Sequence, residues 1–147
     1  MIYLDTSALI KLYVAEQGSA EVIALVRREG IPATATIAYA EVYSGLMRRR
    51  REGSLTVSQY AHLSGQFEQD WTTYVRVELQ KNVLDLARDL LQRYALRAFD
   101  AVHAASALSL KTQLKENFAL VAADGRLLRA AEAEGLIIVN VGTVQDS

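Results

Sequence analysis

Short apolar runs alternate with longer segments of helical periodicity along almost the whole chain, and this alternation restricts the fold more than any other feature. Five of the runs are too short for a helix and are typical of buried strands, at residues 2–5, 33–36, 75–79, 118–123 and 136–141. Strands that alternate with helices favour a mostly parallel sheet with helices on both faces. We therefore expect an α/β fold, a three-layer α/β/α sandwich with a mostly parallel central sheet of about five strands, in a single domain of residues 1–147.

The predicted helices lie between these runs, where apolar side chains recur at helical spacing. Ser19 and Asn82 are expected to be the N-caps of two of them. The helix that starts near Val57 carries an aromatic and aliphatic stripe that is interpreted as core or as a subunit interface; its members are Tyr60, Leu63, Phe67, Trp71 and Tyr74. Residues 101–108 are nearly apolar on all sides, which indicates a buried helix. The run at 75–79 alternates, as an edge strand does.

Composition limits the possible chemistry. The chain has no cysteine, which excludes disulfides, thiolate zinc sites and a cysteine nucleophile. This absence is consistent with the reducing cytoplasm, where we expect the protein to act. No apolar run approaches the ~20 residues of a membrane span, so we expect no membrane association. The net charge is −1, so any contact with nucleic acid must use a local basic patch.

Four acidic residues occupy comparable positions in the predicted fold. Asp5 and Asp124 each end a strand and begin a helix, Glu41 lies about one turn into a helix, and Asp100 begins the buried helix. In a parallel sheet, Asp5, Asp124 and the start of the Glu41 helix share one edge, but spacing alone does not place Asp100 there. The alternative is that the three aspartates only cap helices, since such a cap contributes ~1 kcal/mol.

If these carboxylates converge, their chemistry is that of a metal site. Two carboxylates ~4 Å apart repel by about 4 kcal/mol at an effective dielectric constant near 20, so a cluster needs protons or cations. Ligands that are all oxygen favour Mg²⁺ or Mn²⁺ over Zn²⁺ or Cu²⁺. A hard dication beside a phosphate suits phosphodiester hydrolysis by water, and no nucleophilic side chain is evident.

Three neighbours of the acidic residues are candidate supporting groups. Thr6 and Ser7 either cap the first helix or orient a ligand of the metal. His103 lies one turn after Asp100 in the buried helix. We interpret it as a hydrogen-bonding partner of a ligand or a packed core histidine rather than as a ligand.

Arginines supply the candidate phosphate contacts. Positions 48–51 are all arginine, either a solvated helix end or a phosphate-binding patch. Two further arginines flank the acidic residues and are better phosphate candidates. The full set is Arg48, Arg49, Arg50, Arg51, Arg97 and Arg126.

Four segments of this chain together resemble the PIN-domain family, and specifically the VapC-type ribonuclease toxins of prokaryotic toxin–antitoxin systems. They are YLDTSA at residues 3–8, IAYAEV at 37–42, FDAVHAA at 99–105 and ADGRL at 123–127. One such segment would be a weak signal, but four in this order span essentially the whole chain.

The resemblance implies an α/β/α sandwich and a metal-dependent endoribonuclease that forms a homodimer and is inhibited by a cognate antitoxin protein. By the same resemblance, Asp5, Glu41 and Asp100 are the core ligands of Mg²⁺ or Mn²⁺, and Asp124 is a more variable fourth member. The chain departs from the family at one position. The family often carries Thr or Ser two residues before the last aspartate, where this chain has Ala122.

Two other classes of function compete with this hypothesis. The first is a non-catalytic PIN-like module that binds RNA or protein, although all four carboxylates are present. The second is an aspartate-based phosphotransfer domain. A phosphatase of that kind requires an aspartate two residues after Asp5, where Ser7 stands, and a receiver requires an acidic pair and a later lysine that are not found.

Overall fold

A five-stranded, entirely parallel sheet forms the centre of the protein, in a computed structural model that describes residues 1–142. Its strands are β1 (Ile2–Leu4), β2 (Ala33–Ala35), β3 (Val75–Val77), β4 (Ala119–Ala122) and β5 (Ile137–Asn140). They lie in the order β3-β2-β1-β4-β5. All five predicted strands are confirmed, and β3 is an edge strand as expected.

Helices cover both faces of the sheet. They are α1 (Thr6–Leu9), α2 (Ser19–Glu29), α3 (Ala38–Arg51), α4 (Val57–Trp71), α5 (Lys81–Arg93), α6 (Ala98–Leu114) and α7 (Gly125–Ala133). A 3₁₀ turn at Ile10–Leu12 continues α1.

None of the helices within residues 1–142 has the length and apolar character that crossing a membrane would require.

The side chains of β1 show how two cores form on one sheet. Ile2 and Leu4 point to one face and pack with α1, α2, α3 and α4, whereas Tyr3 points to the other and packs with α5, α6 and α7. All three are buried, since successive side chains in a strand face opposite sides. Helices on both faces of a parallel sheet confirm the three-layer α/β/α prediction.

Three local predictions are wrong. The N-cap of α2 is Gly18, at φ 90°, and Ser19 is the first helical residue, whose hydroxyl donates to the carbonyl of Val14. A side chain on Gly18 would put its Cβ 2.2 Å from the Val141 carbonyl oxygen. The close approach of these two segments therefore requires a glycine at this N-cap. Helix α5 begins at Lys81, and Asn82 instead donates to the Ser109 hydroxyl.

The third wrong prediction extends the helix at residue 57 to Tyr74. Helix α4 ends at Trp71, and Tyr74 lies in the turn before β3, where its hydroxyl pairs with that of Tyr13. Phe67 is fully buried, while Tyr60, Leu63 and Trp71 are half-buried against the same core. The stripe therefore belongs largely to the core of the protein.

The order of the strands brings the chain segments of interest together. Strand β1 is central and pairs with β2 and β4, so Asp5 lies between the ends of its two neighbours. The Glu41 helix follows β2, and Asp124 follows β4. Helix α6 reaches the same edge by a different route, because it follows α5 rather than a strand and packs beneath β2 and β3.

Candidate active site

A cavity of about 650 Å³ opens at the carboxyl edge of the sheet, and all four predicted acidic residues line it. They are Asp5, Glu41, Asp100 and Asp124. Thr6, Ser7 and His103 line it as well. The position of Asp100, which spacing left open, is therefore beside the other three carboxylates.

Asp5 is both a helix cap and the most buried of the four acids, with 3% of its surface exposed. Its Oδ1 accepts a hydrogen bond from the Ala8 backbone N–H at 3.0 Å and one from the Ser7 hydroxyl at 2.7 Å. Burial raises the pKa of the Asp5 carboxyl, and the charge of Asp100 raises it further, against the hydrogen bonds from Ser7 and Ala8 and the charge of His103. Asp5 therefore caps α1 and lines the cavity at the same time.

Ser7 connects two strand ends. Its hydroxyl donates to Asp5 and accepts from the backbone N–H of Ala123 at 3.0 Å, which ties the end of β4 to the start of α1. The side chain of Ser7 thereby provides a hydroxyl next to the segment that follows Ala122. Since Asp5 is the N-cap of α1, the alternative that Thr6 or Ser7 caps this helix is wrong.

Glu41 is held by side chains from two other elements. Its Oε1 accepts from the Thr6 hydroxyl at 2.6 Å and lies 2.8 Å from Nε2 of His103. The other ring nitrogen of His103, Nδ1, lies 2.8 Å from the hydroxyl of Tyr3, whose pKa is raised well above its usual value by burial. Burial also raises the pKa of Glu41, but the hydrogen bonds from His103 and Thr6 and the charges of His103 and Arg97 outweigh it and leave the pKa lowered.

Arg97 connects the remaining two carboxylates. Its Nε lies 3.2 Å from Oδ2 of Asp100, and its Nη2 lies 3.2 Å from Oδ2 of Asp124. Asp124 caps α7 by accepting from the backbone N–H of Arg126 and Leu127. The cap alternative is wrong for Asp100, because Arg97 is the N-cap of α6.

The six predicted arginines divide into two groups. Arg48, Arg49 and Arg97 line the cavity. Arg49 is already engaged by Glu16 and by the Gly45 carbonyl. The other three do not line it. Arg50 donates to the Leu55 carbonyl, and Arg51 and Arg126 are exposed.

Sequence reasoning missed Tyr3, Lys11 and Phe99. Tyr3 is fully buried, and a buried tyrosine hydroxyl usually finds a polar partner, a signal that could have indicated His103 or a similar residue. Lys11 is 9% exposed and pairs with Glu16. Phe99 lines the cavity although 55% of its surface is exposed, and no pattern in the sequence indicated this.

The donor set fits a hard divalent cation, but the side chains do not yet stand as ligands. Carboxylate oxygens are the groups that Mg²⁺ and Mn²⁺ prefer, and all four predicted acidic residues line one cavity. Across residues 1–142, no three His, Cys, Asp or Glu side chains are arranged so that they could hold a metal ion as they stand. Arg97 neutralises Asp100 and Asp124 instead, and its side chain is 81% exposed, so it can turn away into solvent.

Comparison with known proteins gives the family. The model of the PIN domain family matches residues 2–133. Ribonuclease VapC45 of Mycobacterium tuberculosis (strain CDC 1551 / Oshkosh) is 36% identical over 110 residues, which cover 75% of this chain and 76% of that protein.

Two solved structures share the fold. The structure of PAE2754 from Pyrobaculum aerophilum has a TM-score of 0.67 at 22% identity and covers 95% of this chain and 84% of that one. A toxin–antitoxin complex from Klebsiella pneumoniae has a TM-score of 0.67 at 17% identity and covers 98% of this chain and 100% of that one. With the match of the family model over most of its length, this chain belongs to the PIN domain family.

Proposed function

We propose that this chain is a metal-dependent endoribonuclease of the VapC type and the toxin of a toxin–antitoxin pair. The observation that carries the proposal is the meeting of Asp5, Glu41, Asp100 and Asp124 in one cavity at the carboxyl edge of the sheet. The relative VapC45 is named a ribonuclease, and it matches three quarters of this chain. Hydrolysis of RNA is the reaction that both facts support.

Each acidic residue has a role in the proposal. Asp5, Glu41 and Asp100 hold Mg²⁺ or Mn²⁺, and Asp124 completes the acidic wall of the cavity. When bound, the ion would lower the pKa of a water molecule and neutralise negative charge on the scissile phosphate. Thr6 and Ser7 orient Glu41 and Asp5 by the hydrogen bonds that they donate. His103 is a hydrogen-bonding partner of Glu41 and not a ligand.

The RNA backbone would approach over the arginines of the cavity. Arg48 is exposed at the cavity wall, and Arg97 lies beside Asp100, so both can contact phosphates on either side of the cleaved bond. A net charge of −1 makes such local contacts necessary.

The proposed partners are a cognate antitoxin protein and a second copy of this chain. A structure with the same fold was solved as a toxin–antitoxin complex, which supports the antitoxin as a partner. Homodimer formation is proposed from the family resemblance.

The test is RNA cleavage by the purified chain and its Asp5→Asn variant. We expect the wild type to cleave single-stranded RNA only with Mg²⁺ or Mn²⁺, and the variant to fall to the level of a protein-free control. Asparagine also caps helices, so α1 should be retained. Asp85→Asn is the matched control, because Asp85 is a carboxylate of α5 that pairs with Lys81 away from the cavity. Cleavage by Asp5→Asn at the wild-type rate would reject the proposed site, and folded wild type that binds RNA without cutting it would favour a non-catalytic module.

A further inference from the structure

A chain of hydrogen bonds runs from the core of the sheet to Glu41. Tyr3 on β1 is 0% exposed and His103 on α6 is 1% exposed, and their rings meet edge to face with centroids 5.9 Å apart. The Tyr3 hydroxyl lies 2.8 Å from Nδ1 of His103, and Nε2 of the same ring lies 2.8 Å from Oε1 of Glu41 and 3.1 Å from the Thr6 hydroxyl. These side chains come from β1, α1, α3 and α6.

The hydrogens of this chain can be assigned by counting donors. The single hydrogen of the Thr6 hydroxyl points to Glu41 Oε1, so that hydroxyl can only accept from Nε2 of His103. Nε2 must therefore carry a hydrogen, which it shares between Thr6 and Glu41. In a neutral imidazole Nδ1 is then the acceptor, and the Tyr3 hydroxyl donates to it.

The same contacts leave one oxygen of Glu41 available. Both donors end on Oε1, and no hydrogen bond to Oε2 is formed by residues 1–142. A glutamate side chain has several rotatable bonds, so a ligand on a helix needs such contacts to hold one orientation. Thr6 and His103 are two donors on one atom, and the Tyr3 hydroxyl holds the other nitrogen of the His103 ring.

We infer that Tyr3 and His103 are positioning residues that hold Glu41 in the orientation in which it binds a divalent cation. The inference rests on the proposed function, in which Glu41 is a metal ligand. Tyr3 acts at a distance from the cavity: its hydroxyl donates to Nδ1 and holds the His103 ring in place, and His103 in turn fixes the carboxylate.

Nitrogen-15 NMR of the histidines tests the first step directly. The chain has two histidines, and His62, exposed on α4, is an internal reference. In the wild type we expect the long-range ¹H–¹⁵N spectrum of His103 to show hydrogen on Nε2. Tyr3→Phe removes one oxygen and keeps the ring, so the core should stay packed while the Nδ1 resonance of His103 shifts to that of an acceptor without a hydrogen bond. Hydrogen on Nδ1 in the wild type, or an unchanged His103 spectrum in Tyr3→Phe, would overturn the inference.

Calorimetric titration with Mn²⁺ tests the second step without any need for cleavage. We expect Tyr3→Phe to weaken Mn²⁺ binding about tenfold, the lower end of the effect of residues that orient metal ligands. Tyr74→Phe is the matched control, since Tyr74 is another buried tyrosine whose hydroxyl bonds that of Tyr13, and neither residue lines the cavity. Equal Mn²⁺ affinity in Tyr3→Phe and the wild type, with the fold intact by thermal unfolding, contradicts the inference.

A second pair of variants keeps the inference testable if Tyr3→Phe unfolds. His103→Gln retains a side-chain N–H that can reach Glu41, whereas His103→Leu fills the space without a donor. We expect Mn²⁺ affinity to be lower for His103→Leu than for His103→Gln, and equal loss in both would count against positioning by a hydrogen bond. The proposed function fails separately, through retained cleavage by Asp5→Asn, so the two failures can be told apart.

Discussion

Asp5 and Glu41 line the same cavity, yet their surroundings shift their pKa values in opposite directions. Asp5 is nearly inaccessible, and burial raises its pKa. Burial acts on Glu41 in the same sense, but two hydrogen bonds to its Oε1 and nearby positive charge lower its pKa overall. Of these two residues, Asp5 is thus the one whose negative charge is less compensated in the metal-free protein.

This difference predicts a pH dependence of stability for the metal-free protein. A carboxyl group with a raised pKa stabilises the fold when protonated, and that contribution is lost as pH rises above the ordinary value of 3.8 and through the raised pKa. Asp5→Asn should therefore gain stability relative to the wild type as pH rises from about 4 to 7, by ~1.4 kcal/mol per unit of pKa shift. Thermal unfolding in EDTA measures it. A difference that stays constant over this range would contradict the assignment of Asp5 as a destabilised carboxylate.

Arg97 yields a second prediction at the residue scale. Because its guanidinium neutralises Asp100 and Asp124, it competes with a cation for the same carboxylates. Arg97→Gln should tighten Mn²⁺ binding by about two- to fivefold, since an exposed ion pair contributes ~0–1 kcal/mol. Calorimetry without RNA measures this, with Arg88→Gln on α5 as control. Weaker Mn²⁺ binding in Arg97→Gln would show that the arginine organises the carboxylates rather than competing for them.

At the scale of elements, α4 supports the helix that carries Glu41. Phe67 on α4 is fully buried and its ring contacts Tyr13, Tyr39, Tyr43 and Trp71. The hydroxyls of Tyr39 and Tyr43 on α3 both donate to Glu68, the next residue of α4. Helices α3 and α4 are therefore joined by an aromatic cluster around the buried ring of Phe67 and by the hydrogen bonds to Glu68.

Removal of the central ring of this cluster should strongly destabilise the protein. Phe67→Ala is expected to lower the free energy of unfolding by about 3–5 kcal/mol, because it leaves a cavity where four aromatic rings meet. Val57→Ala is the control on the same helix, since Val57 is 68% exposed and its truncation should change stability by less than ~0.5 kcal/mol. Urea unfolding followed by circular dichroism measures both. A small effect of Phe67→Ala would mean that α4 contributes little to the core.

The elements also explain why Asp100 differs from the other acids. Asp5, Glu41 and Asp124 each follow a strand of the parallel sheet, so the topology alone brings them to one edge. Asp100 arrives through the pairing of α5 with α6, and its place depends on how the buried face of α6 packs on the sheet. This dependence is the reason that no spacing rule could locate it.

Over the whole molecule, charge is distributed unevenly around a nearly neutral total. The net charge is −1, while the cavity is lined by Arg48 and Arg49 as well as by the four predicted carboxylates. Contacts between these arginines and RNA phosphates release counterions. The affinity for RNA therefore depends on salt concentration, even for a protein of low net charge.

The last prediction separates the two ends of the arginine run. Arg48 lines the cavity and Arg51, on the same helix, does not. In an Asp5→Asn background that prevents cleavage, Arg48→Ala should weaken binding of a single-stranded RNA oligonucleotide and reduce the slope of log K against log salt by about 0.7. Arg51→Ala should change neither. Fluorescence anisotropy at several salt concentrations measures both, and equal effects of the two variants would point to a diffuse surface charge instead of a cavity contact.

The sequence by itself determined the alternation of strands and helices, the edge position of β3 and the carboxyl-edge location of Asp5, Asp124 and the Glu41 helix. These follow from apolar periodicity and from the geometry of parallel strands, which act over a few residues and hold in any α/β sheet. The four segments that resemble the PIN family added Asp100 to this set, and in the structure Asp100 lines the same cavity as the other three acids. Local capping was predicted less well, because Gly18 and Gln80 are caps only through the path of the surrounding chain.

Only the tertiary structure decided the contacts between side chains that are distant in sequence. Tyr3 and His103 are 100 positions apart and meet because the side chain of Tyr3 points into the core that α6 covers. Arg97 bridges Asp100 to Asp124 because α6 and α7 begin side by side. Such contacts depend on helix packing angles and side-chain directions, which periodicity does not encode. The chemistry of the residues was therefore readable from the sequence, and their partners were set by packing.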